Sequence, residues 1–222
     1  MNVFDAITTR KSVRAYRADP IPRAVLEKVL EAARWSPSWC NSQPWEFFVL
    51  GGEARKNLAA KLYAAACRGE PIRSDFPYPT NFPDKHQDRR RLNGKQLFSA
   101  LGIAREDRAA RDAFNNSMFK FFDAPCGIVV TMDRGLSPSW GVLDIGCAVQ
   151  SVLLEAHELG LGTCAEASIA RYPDIVRKEL GLEERLQVVC GIAIGYPAEG
   201  DIRATFRSPR CEAAEVVTWM GF

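Results

Sequence analysis

The chain has 222 residues, of which 47% are hydrophobic, 25% charged and 10% aromatic, a composition typical of a folded globular protein rather than a disordered one. Its 29 Lys and Arg residues against 27 Asp and Glu leave a formal charge of +2, which excludes the broad cationic face of a protein that binds duplex DNA or anionic lipid. We therefore expect a single domain over residues 1–222 that has no nucleic-acid partner.

No segment reaches the roughly 18 consecutive apolar residues of a membrane-spanning helix, and residues 1–12 lack the apolar run of a secretory signal. Seven cysteines occur without a CxxC pair, and the two histidines, His86 and His157, have no paired ligand spacing. We expect reduced thiols and no metal site. The sequence thus predicts a cytoplasmic protein without a membrane partner.

Apolar spacing predicts the elements in chain order. Helices are predicted over residues 2–9, 23–35 and 53–67, with a buried strand at 45–50. Further strands are predicted at 124–132 and 186–194, and further helices at 140–159 and 173–180. The apolar positions of 140–159 extend round more than one face, which favours a central helix or one packed against a second subunit. Helices outnumber strands, so the fold class is α+β (mixed α/β) with a small sheet.

Residues 68–122 form the longest interruption between predicted strands. Four prolines and many charges and aromatics precede two amphipathic segments, at about 87–101 and 105–122. The segment is stiff and aromatic enough to act as a lid that stacks a planar substrate. The alternative is a surface excursion whose aromatic residues pack a small core of their own.

A cluster of cations and a hydroxyl follows the first predicted helix. Arg10, Lys11, Ser12 and Arg14 together form the donor set that holds a phosphate dianion. The alternative is a solvated basic turn. A second basic set near the other end of the chain, Arg203, Arg207 and Arg210, either converges on the same anion or solvates a tail.

Two other segments place polar or small residues where a ligand could approach. The loop from Pro37 to Pro44 presents Ser38, Asn41 and Gln43 beside Trp39, which suits a planar heteroaromatic ligand or an ordinary turn between helix and strand. Residues 160–168, GLGTCAEAS, allow close backbone approach to a ligand, or simply stop a helix.

Taken in order, these motifs carry a resemblance to a known family. Arg10-Lys-Ser-Val-Arg14, the Pro37-Ser-x-x-Asn-x-Gln-Pro-Trp45 loop, Gly160-Leu-Gly-Thr-Cys164, Gly195-Tyr-Pro197 and Ser208-Pro-Arg210 resemble the FMN-dependent nitroreductase family, of the oxygen-insensitive NAD(P)H type. The resemblance covers the chain except about residues 68–115. It implies a three-layer fold with a small, mainly antiparallel central sheet flanked by helices, in an intertwined homodimer.

The resemblance also implies roles for particular residues. The phosphate and ribityl chain of FMN would be bound by Arg10, Lys11, Ser12 and Arg14. Arg207 and Arg210 would also contribute, from a C-terminal extension (197–222) that reaches the partner subunit. The residues that would contact the edge of the isoalloxazine bound by the partner subunit are Pro37, Ser38, Trp39, Asn41 and Gln43. The backbone of Ala165, Glu166 and Ala167 would contact the N5 and O4 side of the flavin. Lys120 would lie near the cofactor.

The implied function is an FMN-dependent oxidoreductase in which NADH or NADPH reduces FMN and a small nitroaromatic or quinone-type acceptor then reoxidises it, a ping-pong cycle. FMN carries the chemistry, so no catalytic acid or base is expected. The alternatives are a narrower flavin enzyme of the same fold, such as an ene-type reductase, a dehalogenase or a flavin-fragmenting enzyme, and a non-catalytic FMN-binding protein.

Overall fold

The computed structural model describes residues 1–222 as one layered unit with eight helices and four strands. The helices are α1 (Val3–Thr9), α2 (Arg23–Arg34), α3 (Gly52–Cys67), α4 (Asp84–Ala100), α5 (Arg108–Ser117), α6 (Pro138–Glu158), α7 (Pro173–Leu180) and α8 (Ile202–Thr205). The strands are β1 (Trp45–Gly51), β2 (Cys126–Asp133), β3 (Gly162–Glu166) and β4 (Leu186–Gly195). Short 3₁₀ turns cover Trp39–Asn41, Met118–Asp123, Ala167–Arg171 and Ala213–Glu215.

The four strands form one sheet in the order β1-β2-β4-β3, and every neighbouring pair is antiparallel. Residues 126–132 of the central strand β2 are all buried, because helices cover both faces of the sheet. That double burial is why β2 has a continuous apolar run instead of the alternation of a half-exposed strand. The predicted fold class, with a small antiparallel sheet flanked by helices, is confirmed.

The helices form the outer two of three layers. On one face, Val29 of α2 and Ile145 and Val152 of α6 pack against Ile128 and Ile192 of the sheet. On the other face, α3, α7 and the 3₁₀ turns between them pack against the same sheet, and Leu58, Phe121, Val129, Val176 and Val188 belong to that cluster. None of the helices is both long and apolar enough to cross a membrane.

The sequence predicts three strands, and the structure has a fourth, β3. Its five residues, Gly-Thr-Cys-Ala-Glu, are too few and too small to produce an alternating pattern. They pair as a strand because β4 lies alongside, with Cys164 opposite Ala193. Tertiary pairing therefore overrides a weak local signal.

The predicted amphipathic segment at 105–122 is wrong at its C-terminal end. Helix α5 ends at Ser117, and Phe121, Phe122 and Asp123 then adopt positive φ angles that no helix contains. This kink directs the Phe121 ring into the sheet. The ring fits because Gly127 has no side chain: a Cβ on that residue would lie 2.9 Å from the Phe121 Cδ1 atom.

The aromatic residues of segment 68–122 serve the core more than a lid. Phe119, Phe121 and Phe122 are buried. Phe114 contacts Phe98 edge to face at 5.6 Å between ring centroids. For these residues the structure supports the alternative interpretation, that they pack a core.

The first part of segment 68–122 is fixed to the body of the protein by a largely buried ion pair. Asp75 accepts two hydrogen bonds from the Arg177 guanidinium, at 2.7 and 2.8 Å, and a third from the Val188 N–H at 2.8 Å. Nearby, the Tyr172 hydroxyl donates to the Glu70 carbonyl at 3.2 Å. Any lid movement is therefore confined to residues that follow Asp75.

Removing one partner of this ion pair should destabilise the fold strongly, because the remaining charge stays buried. The side chains of Asp75 and Arg177 are only 10% and 16% exposed. We expect Asp75→Ala to lower the free energy of unfolding by about 3 kcal/mol or more, measured by urea denaturation. Asp88→Ala, which removes an exposed pair with Arg91, is the matched control and should leave the midpoint unchanged. Equal midpoints for the two variants would contradict the anchoring role.

Candidate functional site

The basic segment after α1 runs along the open edge of the sheet. Ser12 forms a parallel bridge with Thr163 of β3, and the Val13 N–H donates to the Thr163 carbonyl at 2.9 Å. The Arg14 N–H donates to the Arg203 carbonyl at 2.9 Å, which ties the same segment to the C-terminal part of the chain. Val13 packs so closely that a Cβ on Gly162 would lie 2.7 Å from its methyl group. The N-terminal segment, β3 and the chain beyond β4 therefore meet in one place.

Because the segment is extended, Arg10, Ser12 and Arg14 share one face of it. Arg10 and Arg210 lie close enough for their positive charges to interact. The pKa of Arg10 is lowered, first by burial and then by Arg210. Its Nε atom is buried and has no hydrogen-bond partner. Two guanidinium groups with an unsatisfied donor fit a phosphate dianion, so the residues present suit the phosphate of FMN.

Burial raises the pKa of two ionisable side chains of β3 that lie beside this cluster. Burial raises the pKa of the Cys164 thiol to about 12, although Arg14 and the Ser12 hydroxyl lie beside it. Burial also raises the pKa of Glu166 well above its ordinary value, with Arg14 as the opposing charge. Glu166 is 4% exposed, and neither of its carboxyl oxygens has a hydrogen-bond partner. Its neighbours Ala165 and Ala167 are exposed.

The loop from Pro37 to Pro44 is held in a strained conformation. Cys40, Asn41 and Gln43 have φ angles of 50°, 55° and 47°, a left-handed region that costs a non-glycine residue about 1–2 kcal/mol. Inside the loop, the Gln43 N–H donates to the Ser38 hydroxyl at 3.0 Å. Pro37, Trp39, Asn41 and Gln43 are exposed. No hydrogen bond links this loop to the basic segment of the same chain.

The remaining basic candidates, Lys11 excepted, have acidic partners of their own or are exposed. Lys120 forms an ion pair with Asp123 at 3.1 Å and lies over the Tyr63 ring. Arg207 is exposed, and Arg203 pairs with Asp201 at 2.6 Å. Lys11, by contrast, stays beside Arg10: both residues line a cavity of about 370 Å³, together with His157.

Sequence reasoning missed two residues that the structure brings to these sites. Tyr16 lies beside Cys164 and Glu166, and its hydroxyl donates to the Val13 carbonyl at 2.6 Å. No sequence signal marked it. Asp144, buried on α6, accepts a hydrogen bond from the Trp39 N–H. A signal was present there, because Asp144 is the sole acidic residue in the first 17 residues of an otherwise apolar helix.

Comparison with known proteins identifies the family. A model of the Nitroreductase family matches residues 7–196, most of the chain. The chain belongs to this family. Among its relatives, 4-nitrobenzoate reductase of Pseudomonas putida is 33% identical over 222 residues, which cover 99% of this chain and 96% of that protein. The family expectation from the ordered motifs is thereby confirmed.

Solved structures of nitroreductases superpose on the whole chain. The FMN- and NADPH-dependent nitroreductase NfnB from Sphigopyxis sp. strain HMH has a TM-score of 0.95, with 33% identity and full coverage of both chains. NfnB from Mycobacterium smegmatis, solved in complex with NADPH, has a TM-score of 0.92 and 31% identity, covering 98% of this chain and 97% of that one. Residues 68–115, which the resemblance in sequence did not cover, are therefore also part of the nitroreductase architecture.

The buried carboxyl of Glu166 should make stability fall as pH rises. In the unfolded chain this group ionises near its ordinary pKa of 4.5, while the folded chain keeps the proton to a much higher pH. Between the two pKa values each pH unit costs up to about 1.4 kcal/mol. Glu166→Gln removes this cost, so its free energy of unfolding relative to the unmodified protein should increase between pH 6 and pH 8.

Urea denaturation of the cofactor-free protein at several pH values measures this difference. Glu27→Gln, at an exposed acid of α2, is the control and should give a curve parallel to that of the unmodified protein. A Glu166→Gln curve that is also parallel would show that the carboxyl is ionised in the folded state.

Proposed function

We propose that this protein is an FMN-dependent oxidoreductase that uses NADH or NADPH to reduce nitroaromatic compounds. The observation that carries the proposal is the buried Nε of Arg10, a donor that has no partner and lies near a second guanidinium, that of Arg210, in a chain of the nitroreductase family. The names of several relatives, reductases of 4-nitrobenzoate, chloronitrobenzene and nitrobenzene, support nitroarenes as acceptors. Quinones are a second acceptor class of the same electron-poor, planar kind.

The chain's own residues bind and orient the cofactor. Arg10, Ser12 and Arg14, with Arg210, would hold the phosphate and ribityl chain by charge-assisted hydrogen bonds, and the exposed Arg207 is a further candidate donor. Ala165 and Ala167 are exposed, and their backbone groups would contact the ring. FMN supplies the hydride chemistry when it is bound.

Neither Cys164 nor Glu166 is poised as a nucleophile or general base. The Cys164 thiol stays protonated because it is buried, and the Glu166 carboxyl stays protonated for the same reason. Such a site suits an enzyme whose reaction depends on the cofactor. Donor and acceptor would occupy the open face of the ring in turn, which is a ping-pong cycle.

We propose that α4 and α5 form the part of the lid that covers the acceptor. Phe82, ahead of α4, is 37% exposed, and the Arg90 guanidinium lies 5.3 Å from its ring centroid. An exposed aromatic beside an arginine suits a planar acceptor with a negative substituent. Lys120 remains a weaker candidate for the cofactor site, since Asp123 already neutralises it.

We also propose a homodimer in which the loop at 37–44 completes the cofactor site of the partner. Within one chain that loop makes no hydrogen bond to the basic segment. The side chain of its Trp39 is 60% exposed, so the loop is accessible to a second subunit. Trp140 and Leu143 of α6 are also more than half exposed, as are Trp219 and Phe222 of the C-terminal extension. So much apolar surface supports burial against a second subunit.

Seven free cysteines are compatible with the cytoplasm.

An anaerobic titration tests the function and the cofactor site together. Protein loaded with FMN should lose its yellow colour with NADPH or NADH and regain it with 4-nitrobenzoate. Arg10→Ala should weaken FMN binding about tenfold or more, so that the variant loses flavin during gel filtration. Arg105→Ala, at an exposed arginine between α4 and α5, should retain it.

Two results would contradict these assignments. If the loaded, unmodified protein is not bleached by either nucleotide, the enzyme assignment is wrong and a binding protein is the better description. If Arg10→Ala keeps its full FMN content, the basic segment does not hold the phosphate.

The dimer proposal is tested by a charge on the exposed face of α6. Leu143 is 57% exposed in the single chain, so Leu143→Glu should fold normally but sediment as a monomer. Ile72→Glu, at a 42% exposed residue remote in sequence, is the control and should stay dimeric. A dimeric Leu143→Glu variant would place the interface elsewhere. A charge at Val152 of the same helix would not test the interface, because this residue is fully buried within one subunit and the charge would disturb the core.

A further inference from the structure

The loop at 37–44 has a strained backbone, and its internal hydrogen bonds do not explain how that conformation is held. Three of its four residues from Cys40 to Gln43 are in the left-handed region, and none is glycine. Conformations of this kind persist only where the surroundings impose them. Its internal hydrogen bonds, such as Gln43 N–H to Ser38, only link parts of the same loop. Something outside the loop must therefore hold it.

Helix α6 supplies that support at three points. The Trp39 N–H donates to the Asp144 Oδ2 atom at 3.0 Å. The hydroxyls of Ser36 and Ser151 are hydrogen-bonded at 2.7 Å. The indole rings of Trp39 and Trp140 stack with centroids 6.1 Å apart. The loop is thus attached to the side of α6 that faces it, just before its strained residues.

Asp144 is the most informative of these anchors. It is 6% exposed, on a helix whose neighbouring positions are apolar. A carboxylate in such a place is costly unless it makes a specific bond. The bond it makes is to the backbone of Trp39, next to the first left-handed residue, Cys40.

We propose that Asp144 is a positioning residue that fixes the loop at 37–44 in the form required for cofactor binding. The inference rests on the proposed function, in which this loop lies against the flavin of the partner subunit. Asp144 does not touch the cofactor. It acts through the Trp39 backbone, which sets where Asn41 and Gln43 present their amides. Releasing the anchor lets the left-handed residues relax, and the amides lose their alignment.

The first test is amide hydrogen exchange on the FMN-free protein, which needs no cofactor. In Asp144→Ala, exchange of the amides in residues 38–43 should be about tenfold faster, with little change in α6. Asp144→Asn keeps an oxygen that can accept the Trp39 N–H, so it should restore most of the protection. Glu155→Ala, at the next acidic residue of α6, is the control and should match the unmodified protein.

The second test measures FMN affinity by fluorescence titration of the same variants. Asp144→Ala should bind FMN about tenfold more weakly, with Asp144→Asn and Glu155→Ala close to the unmodified protein. If Asp144→Ala does not fold, Asp144→Leu fills the same volume without an acceptor and replaces it. Failure of both to fold, while Asp144→Asn folds, would make the residue structural and overturn the proposal.

Other outcomes are equally decisive. Unchanged exchange in residues 38–43, or an Asp144→Asn variant as impaired as Asp144→Ala, would overturn the anchoring role. Faster exchange with unchanged FMN affinity would show that the loop does not serve the cofactor. If the unmodified protein binds no FMN, the proposed function fails, whereas the exchange result still decides whether Asp144 holds the loop.

Discussion

Pairing of an extended N-terminal segment with the edge strand β3 is the interaction on which the whole site depends. The hydrogen bond from Val13 to Thr163 sets the register, and the missing side chain at Gly162 allows the close approach. Since side chains alternate along an extended segment, this register alone turns Arg10, Ser12 and Arg14 to the same face. It also covers the edge of β3, which would otherwise expose unpaired backbone groups.

The same arrangement concentrates positive charge in a partly buried place. Arg10 lies near Arg210, and burial disfavours the ionised form of Glu166, the acidic side chain that could have compensated their charge. The folded chain thus carries an electrostatic cost that an anion removes. Binding of a phosphate group and stability of the fold are therefore linked, because a ligand that binds only the folded state stabilises it.

Much of the fold could be predicted because its signals are local. The strand at Trp45 is apolar except for Glu46, the strand at Ile128 contains a continuous apolar run, and α6 carries apolar residues round most of its surface. β3 could not be predicted, since its pairing comes from β4. The kink at Phe121 could not be predicted either, because it depends on the space left by Gly127. For the site, the order of motifs predicted Arg10, Ser12 and Arg14 as phosphate donors, and the structure places the three on one extended segment beside β3. The anchor at Asp144 and the neutral state of Glu166 required coordinates, since both follow from what surrounds a side chain rather than from its identity.

The neutral thiol of Cys164 has a consequence for the acceptors such an enzyme would meet. Quinones and the partly reduced products of nitroarenes are electrophiles, and they react with thiolates much faster than with thiols. A cysteine next to the basic segment, if ionised, would be alkylated by the molecules passing the site. Burial raises its pKa to about 12, which disfavours the reactive thiolate. Covalent damage would fall instead on Cys40 and Cys67, the two cysteines that are exposed in the single chain.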